Sequence, residues 1–180
     1  MGFRLAIPAD AEALVALIRS AYRGDTSRAG WTTEADLVSG DRIDAGQVLA
    51  MIGGPRSVLI VLDGEDGLTA CCQLEDRGGG VTYFGTFAVS PAGQGGGTGR
   101  RLMAEAERQA LTRYGATILE MTVLAQQVKL IGWYERLGFR RTGETRPFPA
   151  DGTYARPLRD DLYFVVLAKP LNAGEAPAAS

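Results

Sequence analysis

Hydrophobic and polar residues alternate with the two-residue period of β-strands in several stretches of the chain. Such alternation is typical of strands that bury one face, and nearby Gly, Pro and Asp residues mark the turns. The pattern predicts strands over residues 3–7, 57–62, 68–75, 81–89, 117–124, 139–145 and 162–168. Turn residues at 63–67 and 76–80 separate three of these strands, which predicts two consecutive antiparallel hairpins.

Apolar residues that recur every three or four positions predict the helices. The spacing predicts helices over residues 10–22, 34–38, 45–52, 102–114 and 127–137. The predicted N-caps are Asp10, Thr32 or Thr33, and Asp44. The oxygen of such a short side chain can accept a hydrogen bond from a free N–H group of the first turn. Gly115 and Gly138 are predicted to end the last two helices, and residues 23–30 and 146–159 to form loops.

The order of the predicted elements is β-α-α-β-β-β-α-β-α-β-β. Three consecutive antiparallel strands followed by strand–helix crossovers predict a mixed, largely antiparallel central sheet with helices on both faces, of the α/β or α+β class. Neither an internal repeat nor a linker divides the sequence. We therefore expect a single domain over residues 1–170 and a disordered tail over residues 171–180, which are rich in Ala, Gly and Pro.

Composition and charge exclude several classes of function. The net charge is −2 and no basic run occurs, so neither nucleic acid nor a membrane is an expected partner. The sequence shows no apolar run of membrane-spanning length and no signal-peptide pattern, and its two cysteines, Cys71 and Cys72, are adjacent. These features indicate the reducing cytoplasm. Histidine is absent, so we predict no metal site and assign any acid–base chemistry to carboxylates, tyrosine or backbone.

A glycine-rich loop, QGGGTG at residues 94–99, lies between a predicted strand that stops at Pro91 and a predicted helix. This arrangement points unpaired backbone N–H groups and the positive end of a helix dipole at an anion. The spacing matches neither G-x-x-x-x-G-K-[ST] nor G-x-G-x-x-G, which excludes a P-loop and a dinucleotide fingerprint. The pattern that fits is Q-x-x-G-x-G on Gln94, Gly97 and Gly99.

This loop, preceded by Val-Ser-Pro at residues 89–91, resembles the loop that holds the acetyl-CoA pyrophosphate in the GCN5-related N-acetyltransferases (GNAT). A second segment, LEMTVLAQQVKLIGWYERLGF at residues 119–139, resembles the family's strand, tyrosine-bearing helix and Gly-Phe. The element order is also similar, so the resemblance covers residue 3 to about residue 169 and implies the GNAT fold. It implies acetyl-CoA as acyl donor and a primary amine of a small molecule or peptide as acceptor.

The resemblance also implies particular site residues. Phe87, Ala88 and Val89 would offer backbone groups to the pantetheine, as if it were an added strand. Gln127 stands where the family often has an asparagine near the pantetheine, and Tyr134 falls on the general-acid tyrosine. A phenol can protonate the coenzyme A thiolate as it leaves. The residues expected to hold the pyrophosphate region are Gln94, Gly95, Gly96, Gly97, Thr98, Gly99 and Arg100.

The sequence departs from the family pattern at the general base. Members that use a strand glutamate carry it near Phe84, and residues 81–91 contain no carboxylate. The carboxylates that remain as alternatives are Glu75, Glu34 and Glu120. Each of these is also compatible with an ordinary solvated or ion-paired side chain, and a water chain could take the proton instead.

The resemblance places the acceptor site between the first two helices. Trp31, Glu34 and Arg42 lie there and would suit an amine or an amino-acid-like acceptor, with residues 146–154 as the opposite wall. Direct transfer is expected, because neither cysteine lies near the two motifs. The sequence does not identify the acceptor, distinguish acetyl-CoA from a longer acyl-CoA, or decide the oligomeric state, for which a homodimer is one alternative.

Two alternative interpretations compete with the prediction of an enzyme in which Tyr134 is the general acid. Tyr134 could be a core contact of its helix, since it lies beside Trp133 and is spaced with Leu130 and Leu137. The whole domain could be a non-catalytic acyl-CoA-binding sensor or regulatory module, which would keep the glycine loop and need neither an acid nor an acceptor pocket.

Overall fold

The computed structural model of the protein describes residues 2–23, 27–28, 33–149 and 156–172. The strands are β1 (Phe3–Leu5), β2 (Val38–Ser39), β3 (Ser57–Gly64), β4 (Gly67–Gly78), β5 (Val81–Val89), β6 (Ile118–Leu124), β7 (Arg140–Pro147), β8 (Arg156–Pro157) and β9 (Tyr163–Pro170). The helices are α1 (Ala11–Tyr22), α2 (Ala45–Gly53), α3 (Thr98–Tyr114) and α4 (Val128–Arg136). Short 3₁₀ turns cover Pro8–Asp10 and Pro91–Gly93.

The central sheet is seven-stranded, in the order β1-β3-β4-β5-β6-β9-β7. Neighbouring strands are antiparallel except β5 and β6, which are parallel. The predicted hairpins β3–β4 and β4–β5 are present, and a crossover through α3 connects the parallel pair. The prediction of a mixed, largely antiparallel sheet is therefore confirmed.

Helices cover both faces of this sheet. Leu102 and Met103 of α3 and Ile131 of α4 pack into the core on one face, whereas Leu14 and Ile18 of α1 pack on the other. All five side chains are almost fully buried, and each such burial contributes about 1.5–3 kcal/mol to folding. The two apolar faces of the sheet thus fix which helices lie on which side.

The helix ends follow the predicted caps in part. Asp44 caps α2 as expected: its carboxylate accepts from the Gln47 N–H at 2.8 Å, and the Gln47 side chain accepts from the Asp44 N–H at 3.1 Å. Asp10 precedes α1 but does not cap it, because its carboxylate accepts from the Ile7 N–H at 2.8 Å and binds the Arg4 guanidinium. The Asp10 side chain therefore anchors the end of β1 rather than the start of α1.

The predicted short helix over residues 34–38 is wrong. The N–H groups of Leu37 and Val38 donate to the Glu34 carbonyl in a single turn, and Thr33 accepts from Ala35 at 3.2 Å. The chain then forms β2, which pairs with β8 inside the predicted loop 146–159. So short a segment cannot sustain a helix on its own, and buried Val38 packs better as a strand residue. Thr32, the alternative cap, lies outside the described residues.

The packed chain extends through Leu171, which is buried and donates its N–H to the Thr117 carbonyl at 2.8 Å. The rest of the predicted tail, residues 173–180, lies outside the described residues, and the single-domain boundary stays a prediction. None of the described helices combines the length and apolar composition needed to cross a lipid bilayer.

Candidate functional site

The parallel strands β5 and β6 separate soon after they meet. They pair only from Val81 to Tyr83 against Ile118 to Glu120. Beyond this point, residues 84–89 have no partner strand on the β6 side within the described chain. This stretch forms an internal edge, to which an extended ligand can add by strand-like hydrogen bonds. Its Phe87 and Val89 carbonyls already accept from the Tyr22 hydroxyl and the Gln94 amide.

A β-bulge lies in β5 at the start of this opening. Cys71 pairs with Ala88 and Gln73 pairs with Gly85, so that two β5 residues lie opposite one β4 residue. Thr86, one of the bulged residues, has a φ of 48°, which is rare for a β-branched residue. The bulge turns the strand at the opening, as bulges near functional sites do. Residue types gave no sign of it, since threonine is typical of regular strands.

The glycine loop lies at the far end of β5. The Gln94 amide donates to the Val89 carbonyl at 3.1 Å, so this side chain closes the loop onto the strand. Gly97, the N-cap residue of α3, has a φ of 77°, and an added Cβ at residues 95, 96 or 97 would meet no atom within 4 Å. The first N–H groups of α3 are free for a ligand, as at any helix start. Open space, bare backbone and a helix N-terminus together fit an anion such as a pyrophosphate.

A groove of about 550 Å³ runs from this loop along β5 to α4. It is lined by Phe87, Val89, Gln94, Gly95, Gly97, Thr98, Gly99, Arg100, Lys129, Trp133 and Arg136. Most residues expected to bind the donor therefore share one surface. The exceptions are Gly96, Gln127 and Ala88, whose side chain is buried against the α1 face.

Sequence reasoning missed the α4 side of the groove. Lys129, Trp133 and Arg136 follow helical spacing on one side of α4, so a helical projection could have grouped them. Trp133 stacks on Phe87 with ring centroids 5.8 Å apart. A Cβ on Gly99 would lie 3.2 Å from the Phe87 ring, so this glycine allows α3 to approach β5 closely.

A second cavity of about 160 Å³ lies on the other side of Phe87. Phe87 lines both spaces, so the groove and the cavity meet at this residue. The polar residues that line the cavity are Tyr22, Glu34, Arg42, Tyr83, Thr86, Thr122, Gln127 and Tyr134. The structure thus places the large groove next to a smaller polar cavity.

Tyr134 lies in the cavity wall and in the core at the same time. Its buried ring contacts Phe87, Trp133 and Phe139, with centroid distances of 6.2, 5.1 and 5.8 Å. Its hydroxyl makes no hydrogen bond to the described residues. Burial raises the pKa of Tyr134 well above that of an exposed tyrosine, so the phenol keeps its proton at neutral pH.

Only one of the three candidate carboxylates lies with Tyr134. Glu34 lines the cavity, and its Oε2 accepts from Arg23 at 2.5 Å and from Arg42 at 3.2 Å. The other two do not line the cavity and are ion-paired: Glu75 with Arg77 at 3.2 Å, beside α2, and Glu120 with Arg146 at 3.0 Å. The geometry therefore leaves Glu34 as the candidate base or acceptor contact.

Gln127 and Tyr22 connect the cavity to its surroundings. The Gln127 amide donates to the Thr33 carbonyl at 2.8 Å, which ties the start of α4 to the segment before Glu34. The Tyr22 hydroxyl donates to the Phe87 carbonyl. Tyr22 was not singled out as a site residue in the sequence analysis. Trp31, the third predicted acceptor residue, and residues 150–154 of the predicted opposite wall lie outside the described residues.

Cys71 lies beside the cavity, although it is far from both motifs in the sequence. Its Sγ lies 3.6 Å from the Thr86 carbonyl. The side chain is fully buried, and burial raises the pKa of its thiol to about 12. Only the thiolate is a nucleophile, so a cysteine with this raised pKa is inert. Direct transfer is therefore still favoured, because the thiol stays protonated and not because Cys71 is far from the motifs.

The chain is similar to known proteins in both sequence and structure. The sequence model of the acetyltransferase (GNAT) family matches residues 14–139. No curated protein matches the chain. Among solved structures, the ribosomal-protein-S18-alanine N-acetyltransferase from Escherichia coli is similar with a TM-score of 0.67 and 16% identity, over 99% of both chains.

Two further solved structures share the fold. A variant of the spermidine N-acetyltransferase SpeG from Vibrio cholerae has a TM-score of 0.66 and 14% identity, over 95% of both chains. The protein yncA from Salmonella typhimurium, solved with its cofactor acetyl-CoA, has a TM-score of 0.64 and 22% identity, over 100% of this chain and 99% of the other.

Proposed function

The chain belongs to the acetyltransferase (GNAT) family, and from this premise we propose that it is an acetyl-CoA-dependent N-acetyltransferase that acts on a primary amine. The observation that carries the proposal is the meeting of the glycine-loop groove and the Tyr134 cavity at Phe87. A donor in the groove and an acceptor in the cavity would face each other there.

The groove fits the donor in shape and in charge. Backbone N–H groups from Gly95 to Arg100 would hold the pyrophosphate, and the open edge of β5 would bind the pantetheine. Arg100, Lys129 and Arg136 line the same groove and match a polyanion. Bound there, acetyl-CoA would supply the acetyl group as a reactive thioester.

Tyr134 would act as the general acid. Its raised pKa keeps the hydroxyl protonated, and it lines the cavity without a hydrogen bond to the described residues. It would give that proton to the sulfur that leaves when the amine attacks, and recover it from solvent or from the acetylated nitrogen. The amine proton would pass to Glu34 or to water, since no other candidate carboxylate lines the described cavity wall.

An acceptor screen tests this function. The full-length protein would be incubated with acetyl-CoA and with amino acids, polyamines, aminoglycosides or peptides, and free thiol and product mass would be measured together. We expect equal amounts of thiol and acetylated amine for at least one acceptor class. Acetyl-CoA binding by calorimetry without turnover of any acceptor would favour the non-catalytic sensor instead. Absence of binding would contradict both.

A further inference from the structure

The charged side chains at the cavity behind Phe87 form a cluster with more positive than negative charge. Glu34 and Arg42 are the charged residues of the described cavity wall, and Arg23 lies directly behind Glu34. Glu34 accepts from both arginines through the same oxygen, Oε2. Two guanidinium groups and one carboxylate leave the cluster with a net positive charge.

The two arginines differ in their exposure and in the number of hydrogen bonds that they make within the protein. The Arg23 side chain is 9% exposed and also donates to the carbonyls of Gly40 and Tyr22, at 3.2 and 3.4 Å. The Arg42 side chain is 30% exposed and makes one hydrogen bond, from Nη1 to Glu34. Its other N–H groups have no acceptor among the described residues. Arg23 therefore neutralises Glu34, and Arg42 is the surplus cation.

Arg42 is also held in a fixed position. Its guanidinium lies 4.0 Å above the Tyr22 ring, and the Tyr22 hydroxyl donates to the Phe87 carbonyl. A stacked guanidinium is planar and presents paired N–H donors that match the two oxygens of a carboxylate. The same contacts fix its position relative to the strand where groove and cavity meet.

From this arrangement we propose that the acceptor carries a carboxylate, or an oxyanion of the same shape, which Arg42 binds. The proposal rests on the proposed function and narrows it: the acceptor is a small amino-acid-like molecule with an amine and an anionic group together. Partly buried positive charge is costly unless an anion compensates it, and a bound carboxylate would do so. A polyamine would instead bring further positive charge to the cluster.

Matched acceptors test the proposal on the unmodified protein. Common L-amino acids would be compared with their α-amides and with the amines left by removing the carboxyl group, with acetyl-CoA as donor. We expect kcat/KM for the preferred acid to exceed that of its amide by about 10- to 100-fold, the range for loss of a hydrogen bond to a charged group. Spermidine should be a poor acceptor.

A substitution then assigns the effect to Arg42. Arg42→Ala should raise KM for the acid by about 10- to 100-fold and lower kcat/KM for the amide far less, so that the acid–amide ratio falls, while the Kd of acetyl-CoA stays nearly unchanged. Arg42→Lys should recover part of the loss, because it keeps the charge without the fork. The control is Arg108→Ala, which removes an exposed arginine that pairs with Glu105 on α3.

The outcomes separate this proposal from the function on which it rests. Amides or spermidine used as well as the acids, or equal losses for acid and amide in Arg42→Ala, would overturn the carboxylate site and leave the acetyltransferase standing. Acetyl-CoA bound without turnover of any acceptor would overturn the proposed function, and the acceptor proposal with it. If both Arg42 variants fail to fold, the acid–amide ratio of the unmodified protein still decides.

Discussion

At the residue scale, Tyr134 has a packing role in the structure and a chemical role that we propose. The ring fills the core between Phe87, Trp133 and Phe139, and the residue also lines the smaller cavity. A core tyrosine usually satisfies its hydroxyl within the protein, because a buried unpaired hydroxyl is costly. The Tyr134 hydroxyl has no such partner among the described residues, which favours a role toward bound molecules.

Tyr134→Phe separates these two roles. The substitution keeps the ring, so folding and the Kd of acetyl-CoA should barely change. If the hydroxyl protonates the departing thiolate, kcat should fall by about 10²–10⁴-fold in the thiol-release assay. A stably folded Phe variant with unchanged kcat, when chemistry is shown to be rate-limiting, would contradict the acid role. A core-only tyrosine would keep both its stability and its turnover, because its hydroxyl has no partner among the described residues that the substitution could leave unpaired.

The pH dependence of stability gives a second test of the same residue. The folded-state pKa of Tyr134 is raised above its unfolded value of about 10, so the folded protein holds this proton more tightly. Its contribution to stability is full below about pH 10 and is lost as pH rises toward the folded pKa. Urea unfolding from about pH 8 to pH 11 should therefore show a steeper loss for the wild type than for Tyr134→Phe. Identical slopes would mean that the phenol is not buried.

At the element scale, α3 and the loop before it form the end of the groove that we propose for the pyrophosphate. The turn into α3 requires a positive φ at Gly97, and the N–H groups that follow point into the groove end. The opposite end of α3 has a similar backbone at Gly115, with a φ of 60°, outside the groove. Both ends of the helix therefore have a glycine in the left-handed region, and of these two only Gly97 lines the groove.

Gly97→Val should weaken acetyl-CoA binding at least tenfold by calorimetry. Valine at this φ strains the backbone by about 1–3 kcal/mol and its side chain obstructs the anion. Gly115→Val is the matched control, since it should cost similar stability and leave the Kd alone. Gly96→Val has no such strain and reports the steric part separately. Equal affinity in wild type and Gly97→Val would remove the pyrophosphate from this loop.

The sequence predicted the elements whose signals are local. Alternation and turn residues sufficed for β3, β4 and β5, because each hairpin forms between neighbours in the chain. The pairing of β2 with β8 was missed, since Val38 and Pro157 are distant in sequence and the partner is chosen by tertiary packing. The bulge at Thr86 was missed because threonine is typical of regular strands.

The candidate site was predictable to a similar extent. The glycine loop and Tyr134 carry motifs with fixed spacing, and the structure brings them to one region around Phe87. Arg42 was predicted as an acceptor contact, but its stacking on Tyr22 depends on how α1 meets the following segment. The choice of Glu34 among three carboxylates likewise required the distances, because ion pairs between elements cannot be read from one chain segment.

At the scale of the whole molecule, the core isolates both cysteines from solvent. Cys71 and Cys72 are fully buried on opposite faces of the sheet, and burial raises the pKa of both thiols, that of Cys71 to about 12. At about pH 8 the folded protein should therefore not react with a thiol reagent, whereas the unfolded chain should react at both cysteines. Rapid labelling of the folded protein would contradict this core, and would also compromise free thiol as a readout.

The groove and the smaller cavity meet at Phe87. We propose that the groove binds the acyl donor and that the cavity binds the acceptor, and this is our central claim. A crystal structure with acetyl-CoA tests this claim most directly. We predict pyrophosphate oxygens within about 3 Å of the N–H groups of residues 95–100, and the thioester at Phe87 facing Tyr134. A pyrophosphate bound away from the glycine loop, or a thioester that does not reach the cavity, would contradict the account.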